Sequence, residues 1–245
     1  MDGMGLHELQ TNWHKFGQTD PLWAIVSRPT MKGNKWNVDE FLATGQDEVK
    51  KLLADIEQLN LPLPTGQALD FGCGIGRVTQ PLCDHFDICH GVDIAPSMIE
   101  MAIAYNRYRE RCFYYINETS DLSIFADNSI NFILSLITLQ NVAPRYSEIY
   151  LKEFLRILAP GGLVVFQIPS EPKRLRQKIK QKLPQTMLNL FYRLKYKDRP
   201  VMELHGVHRD KVIQLLEAHQ GKVLHIVEDK RAFDEWTSFH YYITK

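Results

Sequence analysis

The sequence predicts an α/β fold built on a doubly wound, seven-stranded sheet that is mostly parallel and carries a C-terminal antiparallel hairpin. Two observations support this prediction. Short apolar runs alternate with helical patterns between residues 66 and 170, and such alternation is typical of right-handed βαβ units. The last two apolar runs are joined by a connection too short for a crossover, so we expect them to pair antiparallel.

The predicted elements follow one another in a regular order. Apolar residues at helical spacing between 49 and 59 predict a helix that Pro62 ends. Strands are predicted at residues 67–71, 88–93, 112–116, 130–136, 163–168, 222–228 and 237–244. Helices are predicted at residues 75–85, 96–110, 147–158 and 209–219.

We expect one domain over residues 1–245. Its parts are an N-terminal helical cap (1–62), a core (66–170), a helical insert after the fifth strand (171–207), and a C-terminal helix and hairpin (208–245). The composition, 44% hydrophobic and 24% charged, is ordinary for a globular protein. Lys+Arg and Asp+Glu number 29 each, and this balance gives no overall attraction to nucleic acid or to anionic lipid.

The cysteines and the apolar runs indicate the compartment. Cys73, Cys83, Cys89 and Cys112 form no C-x-x-C pair and have no accompanying histidine cluster, so we expect free thiols and no metal site. No apolar run approaches the roughly 18 residues that a membrane span needs, and the N-terminus lacks a secretory pattern. We therefore expect a cytoplasmic protein without a transmembrane segment.

A glycine-rich turn follows the first predicted strand. Its glycines, at positions 72, 74 and 76, have the spacing G-x-G-x-G, which differs from the G-x-G-x-x-G of dinucleotide-binding folds. Glycines let the backbone approach a ligand closely, and we expect their N–H groups, at a helix N-terminus, to hold an anionic group.

Two carboxylates flank this turn. Asp70 precedes it and would repel the phosphates of NAD, whereas it would attract an ammonium or a sulfonium. Asp93 lies about twenty residues after the turn, where an acidic residue accepts hydrogen bonds from ribose hydroxyls. Ile94 follows as an apolar wall for an adenine ring.

At this point the chain resembles the class I S-adenosylmethionine-dependent methyltransferases, especially the bacterial small-molecule group. The segments that carry the resemblance are Leu-Asp-Phe-Gly-Cys-Gly-Ile-Gly (69–76), Val-Asp-Ile-Ala-Pro-Ser-Met-Ile (92–99), Asn-Glu-Thr-Ser-Asp-Leu (117–122), Ala-Asp-Asn-Ser-Ile-Asn-Phe (126–132) and Leu-Arg-Ile-Leu-Ala-Pro-Gly-Gly (155–162). The resemblance implies a Rossmann-like sheet and S-adenosylmethionine as the cofactor.

The resemblance also implies a set of cofactor-binding residues, namely Asp70, Gly72, Cys73, Gly74, Asp93, Ile94, Met98, Glu118, Thr119 and Ser135. By this resemblance the glycine turn and Asp70 hold the methionine part of the cofactor. Asp93 holds the ribose. Ile94, Met98, Glu118 and the Thr119 backbone surround the adenine, and Ser135 lies under the sulfonium. Glu118 departs from the aspartate that the family usually has there.

We expect methyl transfer to an oxygen or nitrogen of a small molecule. The residues expected to touch the acceptor follow the fourth strand and are Gln140, Asn141, Arg145 and Tyr146. A general base is needed only if the acceptor must lose a proton to react, and the candidates are His205 and His208. The alternative for both is an ordinary loop histidine. No Asn-Pro-Pro-Tyr segment follows the fourth strand, which disfavours amide or adenine N-methylation of that type.

Two segments have two interpretations each. Residues 173–182 are strongly basic and form either a solvated helix face or a weak contact for a membrane surface or an anionic acceptor. The segment carries few aromatic residues for base stacking, so we do not expect nucleic-acid binding. Trp13, Trp23 and Trp36 form either a cap over the cofactor or core packing on the sheet.

Two other functions remain open at this point. One is an NAD(P)-binding oxidoreductase, against which the G-x-G-x-G spacing and Asp70 argue. The other is a protein that binds S-adenosylmethionine but has lost catalysis, because no residue stands out as an obvious base.

Overall fold

The computed structural model describes residues 3–173, 187, 199–229 and 236–245. They form a seven-stranded sheet. Its strands are β1 (Gln67–Phe71), β2 (Ile88–Asp93), β3 (Cys112–Ile116), β4 (Ile130–Ser135), β5 (Leu158–Pro172), β6 (Lys222–Asp229) and β7 (Trp236–Thr244). Their spatial order is β3-β2-β1-β4-β5-β7-β6. Strands β1 to β5 pair in parallel, and β7 pairs antiparallel with both β5 and β6. The predicted fold class is confirmed.

Helices cover both faces of this sheet. They are α1 (Leu6–Thr19), α2 (Pro21–Ile25), α3 (Val38–Gln58), α4 (Thr79–Leu82), α5 (Pro96–Ala104), α6 (Pro144–Ile157) and α7 (Arg209–Ala218). Short 3-10 turns lie at Pro29–Met31 and Leu139–Asn141. Alternate residues of β4 face opposite layers, because successive strand side chains point to opposite faces. Ile133 packs in the cluster that contains Phe154 of α6, whereas Phe132 packs in the cluster that contains Leu52 of α3.

Two predicted helices are shorter than expected. The helix predicted at 75–85 is reduced to the four residues of α4, because Gly76 has φ +79° and the chain before Thr79 forms turns. The helix predicted at 96–110 ends at Ala104, because Asn106 forms a local turn with its own side chain. Its Oδ1 accepts from Tyr108 N at 2.9 Å, and such local bonds compete with the helix.

The N-terminal region is helical, although most of it has no helical pattern in the sequence. Helix α1 lies against α5, where Ser97 Oγ donates to the carbonyl of His14 at 2.9 Å. A Cβ at Gly17 would lie 2.1 Å from Ser97 Oγ, so glycine is required for this close approach. Helix α1 also meets residue 201, whose backbone N–H donates to Asn12 Oδ1 at 2.8 Å. These contacts seat the cap over the carboxyl ends of the strands.

Part of the predicted insert lies outside the described residues. Strand β5 extends to Pro172, and residues 174–186 and 188–198 are not among those described. The predicted insert helices, the domain boundaries and the basic segment 173–182 therefore stay predictions. In the described ranges, no helix has both the length and the apolar character that crossing a membrane requires.

Candidate functional site

A cavity of about 380 Å³ lies where β1, β2 and β4 end, between the sheet and the N-terminal cap. In open α/β sheets, ligands bind at this edge, where the order of the strands reverses. The wall from the sheet side consists of residues 70–74, 77–78, 92–94, 98, 117, 136–138, 140–142 and 150. The cap and its neighbours contribute Leu9, Trp13, residues 24–28, Thr44, Glu48 and Met202.

The backbone of the glycine turn forms part of the cavity wall. The N–H groups of Gly72, Cys73 and Gly74 are not free, because each is hydrogen-bonded within the protein. The N–H groups of Gly72 and Cys73 donate to the carbonyl of Val92 at 2.7 and 3.0 Å. Gly74 N donates to Asp93 Oδ2 at 2.9 Å. The expectation that bare amides at a helix N-terminus hold an anionic group is therefore wrong, since these donors are used internally and α4 begins only at Thr79.

All three glycines of the turn occupy backbone conformations that other residues rarely adopt, and two of them line the cavity. Gly72 has φ +80° and Gly74 has φ +54°. A Cβ at Gly72 would lie 2.1 Å from Thr138 Oγ1, and a Cβ at Gly74 would lie 2.7 Å from Ile25 Cδ1. Both neighbours line the cavity, so the turn keeps the sheet side and the cap side close together.

Asp93 connects the second strand to the glycine turn. Its Oδ2 accepts from Gly74 N and its Oδ1 accepts from Ala95 N, each at 2.9 Å. Burial raises the pKa of Asp93, and these backbone donors oppose the rise because they stabilise the charged form. A carboxylate has about four acceptor positions, so Asp93 keeps capacity to accept from the cavity as well. Ile94 and Met98 line the same wall as apolar neighbours.

Asp70 is a second carboxyl group in the wall and is only 5% exposed. Thr79 Oγ1 donates to its Oδ2 at 2.6 Å. Burial raises the pKa of Asp70 to about 6, while the Thr79 hydrogen bond and the nearby Arg77 guanidinium oppose that rise. With a pKa of about 6, the Asp70 carboxyl is mainly neutral below that pH and mainly ionised above it.

The structure does not bring every predicted cofactor residue to the cavity. Glu118 and Thr119 are exposed and lie outside its wall, and Glu118 Oε1 accepts from Gln10 Nε2 at 2.6 Å. Asn117, one residue earlier, lines the wall instead. Ser135 is fully buried behind the wall, and its Oγ has no hydrogen-bond partner among the described residues. Asp70, Gly72, Cys73, Gly74, Asp93, Ile94 and Met98 all line it.

The acceptor candidates separate into two groups. Gln140 and Asn141 line the cavity. Arg145 and Tyr146 do not, because the Arg145 guanidinium donates to the carbonyls of Gly3 and Met4 and stacks over the Tyr146 ring.

The two candidate bases lie outside the cavity wall. His205 is buried, and its Nε2 lies 2.9 Å from Glu203 Oε2, which also accepts from Met4 N. His208 is exposed at the start of α7, where its side chain accepts from Asp210 N as the N-cap. The role of general base stays a prediction for both histidines, and the described geometry gives neither of them contact with the cavity.

The N-terminal aromatic residues serve both of the purposes that the sequence left open. Trp13 lines the cavity, together with Ile25 of the cap. Trp36 belongs to the core, with its ring centroid 5.4 Å from that of Phe41. Leu9, residues 24–28, and Thr44 and Glu48 of α3 were missed by the sequence analysis, because they carry no motif and reach the site only through tertiary packing.

Comparison with known proteins shows similarity to methyltransferases over part of the chain. Residues 69–166 match the family model described as "Methyltransferase domain". The demethylmenaquinone methyltransferase of Tropheryma whipplei is 32% identical over 112 residues, which are 44% of this chain and 44% of that protein. A tRNA N(3)-methylcytidine methyltransferase of Drosophila melanogaster is 26% identical over 175 residues, 68% of this chain and 50% of that protein. The chain thus spans about half the length, or less, of these curated relatives.

Solved structures agree on the fold. The magnesium protoporphyrin IX methyltransferase from Synechocystis PCC 6803, solved with bound S-adenosylhomocysteine, superposes with a TM-score of 0.59 at 14% sequence identity. The superposition covers 91% of this chain and 93% of that one. The family match over residues 69–166, the strand order and this superposition agree on a class I methyltransferase fold for the chain.

Proposed function

We propose that this protein transfers a methyl group from S-adenosylmethionine to an oxygen or nitrogen of a small-molecule acceptor. The observation that supports it best is the chemistry of one cavity wall. Asp93 offers carboxylate lone pairs for a ribose, Ile94 and Met98 offer apolar surface for an adenine, and Asp70 offers a negative charge for an ammonium. The residues present thus fit an adenosyl amino acid.

Positioning is the main catalytic contribution that we assign to the chain. S-adenosylmethionine supplies a methyl group on a sulfonium, and this group transfers by direct displacement. Much of the rate of such a reaction comes from holding the reacting atoms in line at about 3 Å. The cap residues, with Trp13 and Ile25, line the cavity opposite the sheet, and closing it would exclude water from the reaction.

The enclosed site supports a small molecule as the acceptor. Cap residues 24–28 and Met202 line the cavity opposite the sheet, and its volume of about 380 Å³ is on the scale of a small-molecule site. The net charge of zero also gives no general attraction to nucleic acid. The fly relative is named for a tRNA reaction, so tRNA is included in the test below.

The test combines binding with product formation. We expect S-adenosylhomocysteine to bind in calorimetry and NADH not to bind. We also expect S-adenosylhomocysteine to form when the protein and S-adenosylmethionine are mixed with a fractionated small-molecule extract. Tight binding of NADH alone would indicate an oxidoreductase, and binding without turnover would indicate a protein that has lost catalysis. Product formation with tRNA but with no small molecule would mean that the acceptor is tRNA and not a small molecule.

The pH dependence of binding tests the role of Asp70. We expect the affinity for S-adenosylhomocysteine to rise with pH through about 6, because only the ionised Asp70 attracts the ammonium group. Below that pH, Asp70 is protonated and neutral, so the attraction is lost. Each unit by which binding lowers this pKa corresponds to about tenfold in affinity.

Calorimetric titrations on either side of the transition measure this effect. Asp70→Asn serves as the control, since it keeps an acceptor for the Thr79 hydroxyl and removes the titrating group. We expect the variant to show a flat profile over the same range. An equally steep profile in the variant would assign the pH dependence to another group.

We also propose a cytoplasmic location. Its support is that Cys73, Cys83, Cys89 and Cys112 are free, buried thiols, as is usual for proteins of reducing compartments.

A further inference from the structure

One residue of the cavity wall has a strained backbone. Ile137, between β4 and the turn Leu139–Asn141, has φ +52°, which is costly for a side chain branched at Cβ. Two carboxamides hold it there. Gln167 Oε1 accepts from Ile137 N at 3.1 Å, and Asn141 Nδ2 donates to the Ile137 carbonyl at 2.9 Å. Strain of this kind persists where surrounding contacts over-determine it, and it is concentrated at functional sites.

The backbone N–H of Ile137 determines how Gln167 is oriented. A main-chain N–H only donates, so the Gln167 atom that faces it must be the carboxamide oxygen. The nitrogen, Nε2, then faces the other way, 3.2 Å from Gln140 Oε1 and 2.6 Å from Ser238 Oγ. Gln167 is fully buried, and with the opposite orientation its amide nitrogen would face the donor of Ile137.

The orientation of Gln167 determines the orientation of Gln140, which lines the cavity. Because Gln167 Nε2 only donates, the Gln140 atom that faces it must be the oxygen. Gln140 Nε2 therefore points away from Gln167. No described residue accepts a hydrogen bond from it, although Gln140 is only 5% exposed.

Asn141 is oriented by the same residue. The Ile137 carbonyl only accepts, so Nδ2 of Asn141 must face it and Oδ1 must face away. Oδ1 is buried and has no hydrogen-bond partner within the described ranges. Asn141 also lines the cavity. One strained peptide unit thus fixes an unused donor and an unused acceptor on neighbouring wall residues.

We propose that Gln167 is a positioning residue that sets the polarity of the acceptor site. Through it, Gln140 Nε2 donates to the methyl acceptor, while Asn141 Oδ1 accepts from it. The site then selects a neutral molecule that carries a carbonyl or ether oxygen beside an O–H or N–H group. This inference rests on the proposed function. Buried polar groups that a wrong ligand leaves unpaired discriminate strongly against that ligand.

The experiment uses protein saturated with S-adenosylhomocysteine and the probe N-methylbenzamide, which has both a carbonyl and an N–H. Its affinity is measured by NMR titration in the wild type and in variants. We expect Gln140→Met to weaken the probe about fivefold, as for the loss of one hydrogen bond. We expect Gln167→Met to weaken binding of the probe by a similar factor, although Gln167 does not contact the probe. The reason is that the Gln140 carboxamide is then free to reverse its orientation.

Ser238→Ala is the matched control. It removes the other partner of Gln167 Nε2 and leaves the bonds to Ile137 and Gln140 in place, so we expect unchanged affinity for the probe. A second readout is hydrogen exchange of the Ile137 amide, which should accelerate in Gln167→Met and not in Ser238→Ala. A merely structural role of Gln167 would not change the affinity for the probe while the affinity for S-adenosylhomocysteine stays constant.

The outcomes separate the two proposals. Failure of the wild type to bind S-adenosylhomocysteine overturns the proposed function. If that ligand binds but the probe does not, or if Gln167→Met keeps full affinity for the probe, the inference about Gln167 is wrong. Should Gln167→Met fail to fold, the NMR spectrum of the wild type with the probe still tests the proposal. The probe must then shift the side-chain N–H signals of Gln140 and leave those of Gln167 in place.

Discussion

Asp93→Ala is expected to weaken binding of S-adenosylhomocysteine by about two orders of magnitude or more. Each hydrogen bond from a ribose hydroxyl to a carboxylate contributes about 1.5–3 kcal/mol, and the variant loses two of them. It also leaves the N–H groups of Gly74 and Ala95 without their acceptor, so the glycine turn loses its fixed position. Calorimetric titration of the variant and the wild type measures the change.

Asp87→Ala is the control for Asp93→Ala. Asp87 is exposed and stands immediately before β2, at the opposite end of the strand from Asp93. The control removes one negative charge next to the same strand and should bind S-adenosylhomocysteine as the wild type does. Denaturation of both variants separates a loss of contacts from a loss of fold. A folded Asp93→Ala with wild-type affinity would contradict the assigned role of this carboxylate.

Gly72→Ala is expected to reduce the free energy of unfolding by about 2–4 kcal/mol. The new Cβ would lie 2.1 Å from Thr138 Oγ1 and 2.2 Å from Thr138 Cγ2. Thr138 branches at Cβ and cannot move these atoms aside without moving its backbone. The positive φ of Gly72 adds a cost that any other L-residue would bear. Urea unfolding measures the loss, and the affinity for S-adenosylhomocysteine should fall with it.

Gly161→Ala separates the cost of the positive φ from the cost of the contact with Thr138. Gly161 has a similar φ of +73°, but nothing lies within 4 Å of the Cβ that an alanine would add. We expect this variant to lose only the backbone contribution, about 1–2 kcal/mol. Equal losses in the two variants would mean that the contact with Thr138 is relieved at little cost.

The central strands β4 and β5 could be predicted from the sequence because most of their residues are buried on both faces. Residues 130–135 and 163–168 are mainly apolar, and such runs are typical of central parallel strands. Helix ends were harder to predict. Neither the positive φ of Gly76 nor the Asn106 turn changes the hydrophobic periodicity on which the predicted helices rested.

Site residues could be predicted where they lie next to a predicted strand in the sequence. Asp70, Asp93 and Ile94 belong to strand ends, whose position at the carboxyl edge of the sheet follows from the fold alone. After β3 the chain turns irregularly, so a shift of one residue placed Asn117 in the wall instead of Glu118. Gln167 was not predicted because its orientation depends on the backbone of Ile137, thirty positions away in the chain.

The interior position of β7 has a consequence for how the nascent chain folds. Among the described strands, β6 pairs with β7 alone, although β7 follows it in the chain. During synthesis, β5 therefore exposes an unpaired edge with Val164, Phe166 and Ile168 until β7 leaves the ribosome. The hairpin of β6 and β7 then docks as one unit and buries Tyr241 and Tyr242. Such late, long-range pairing is slow, and the open edge is where intermolecular association would start.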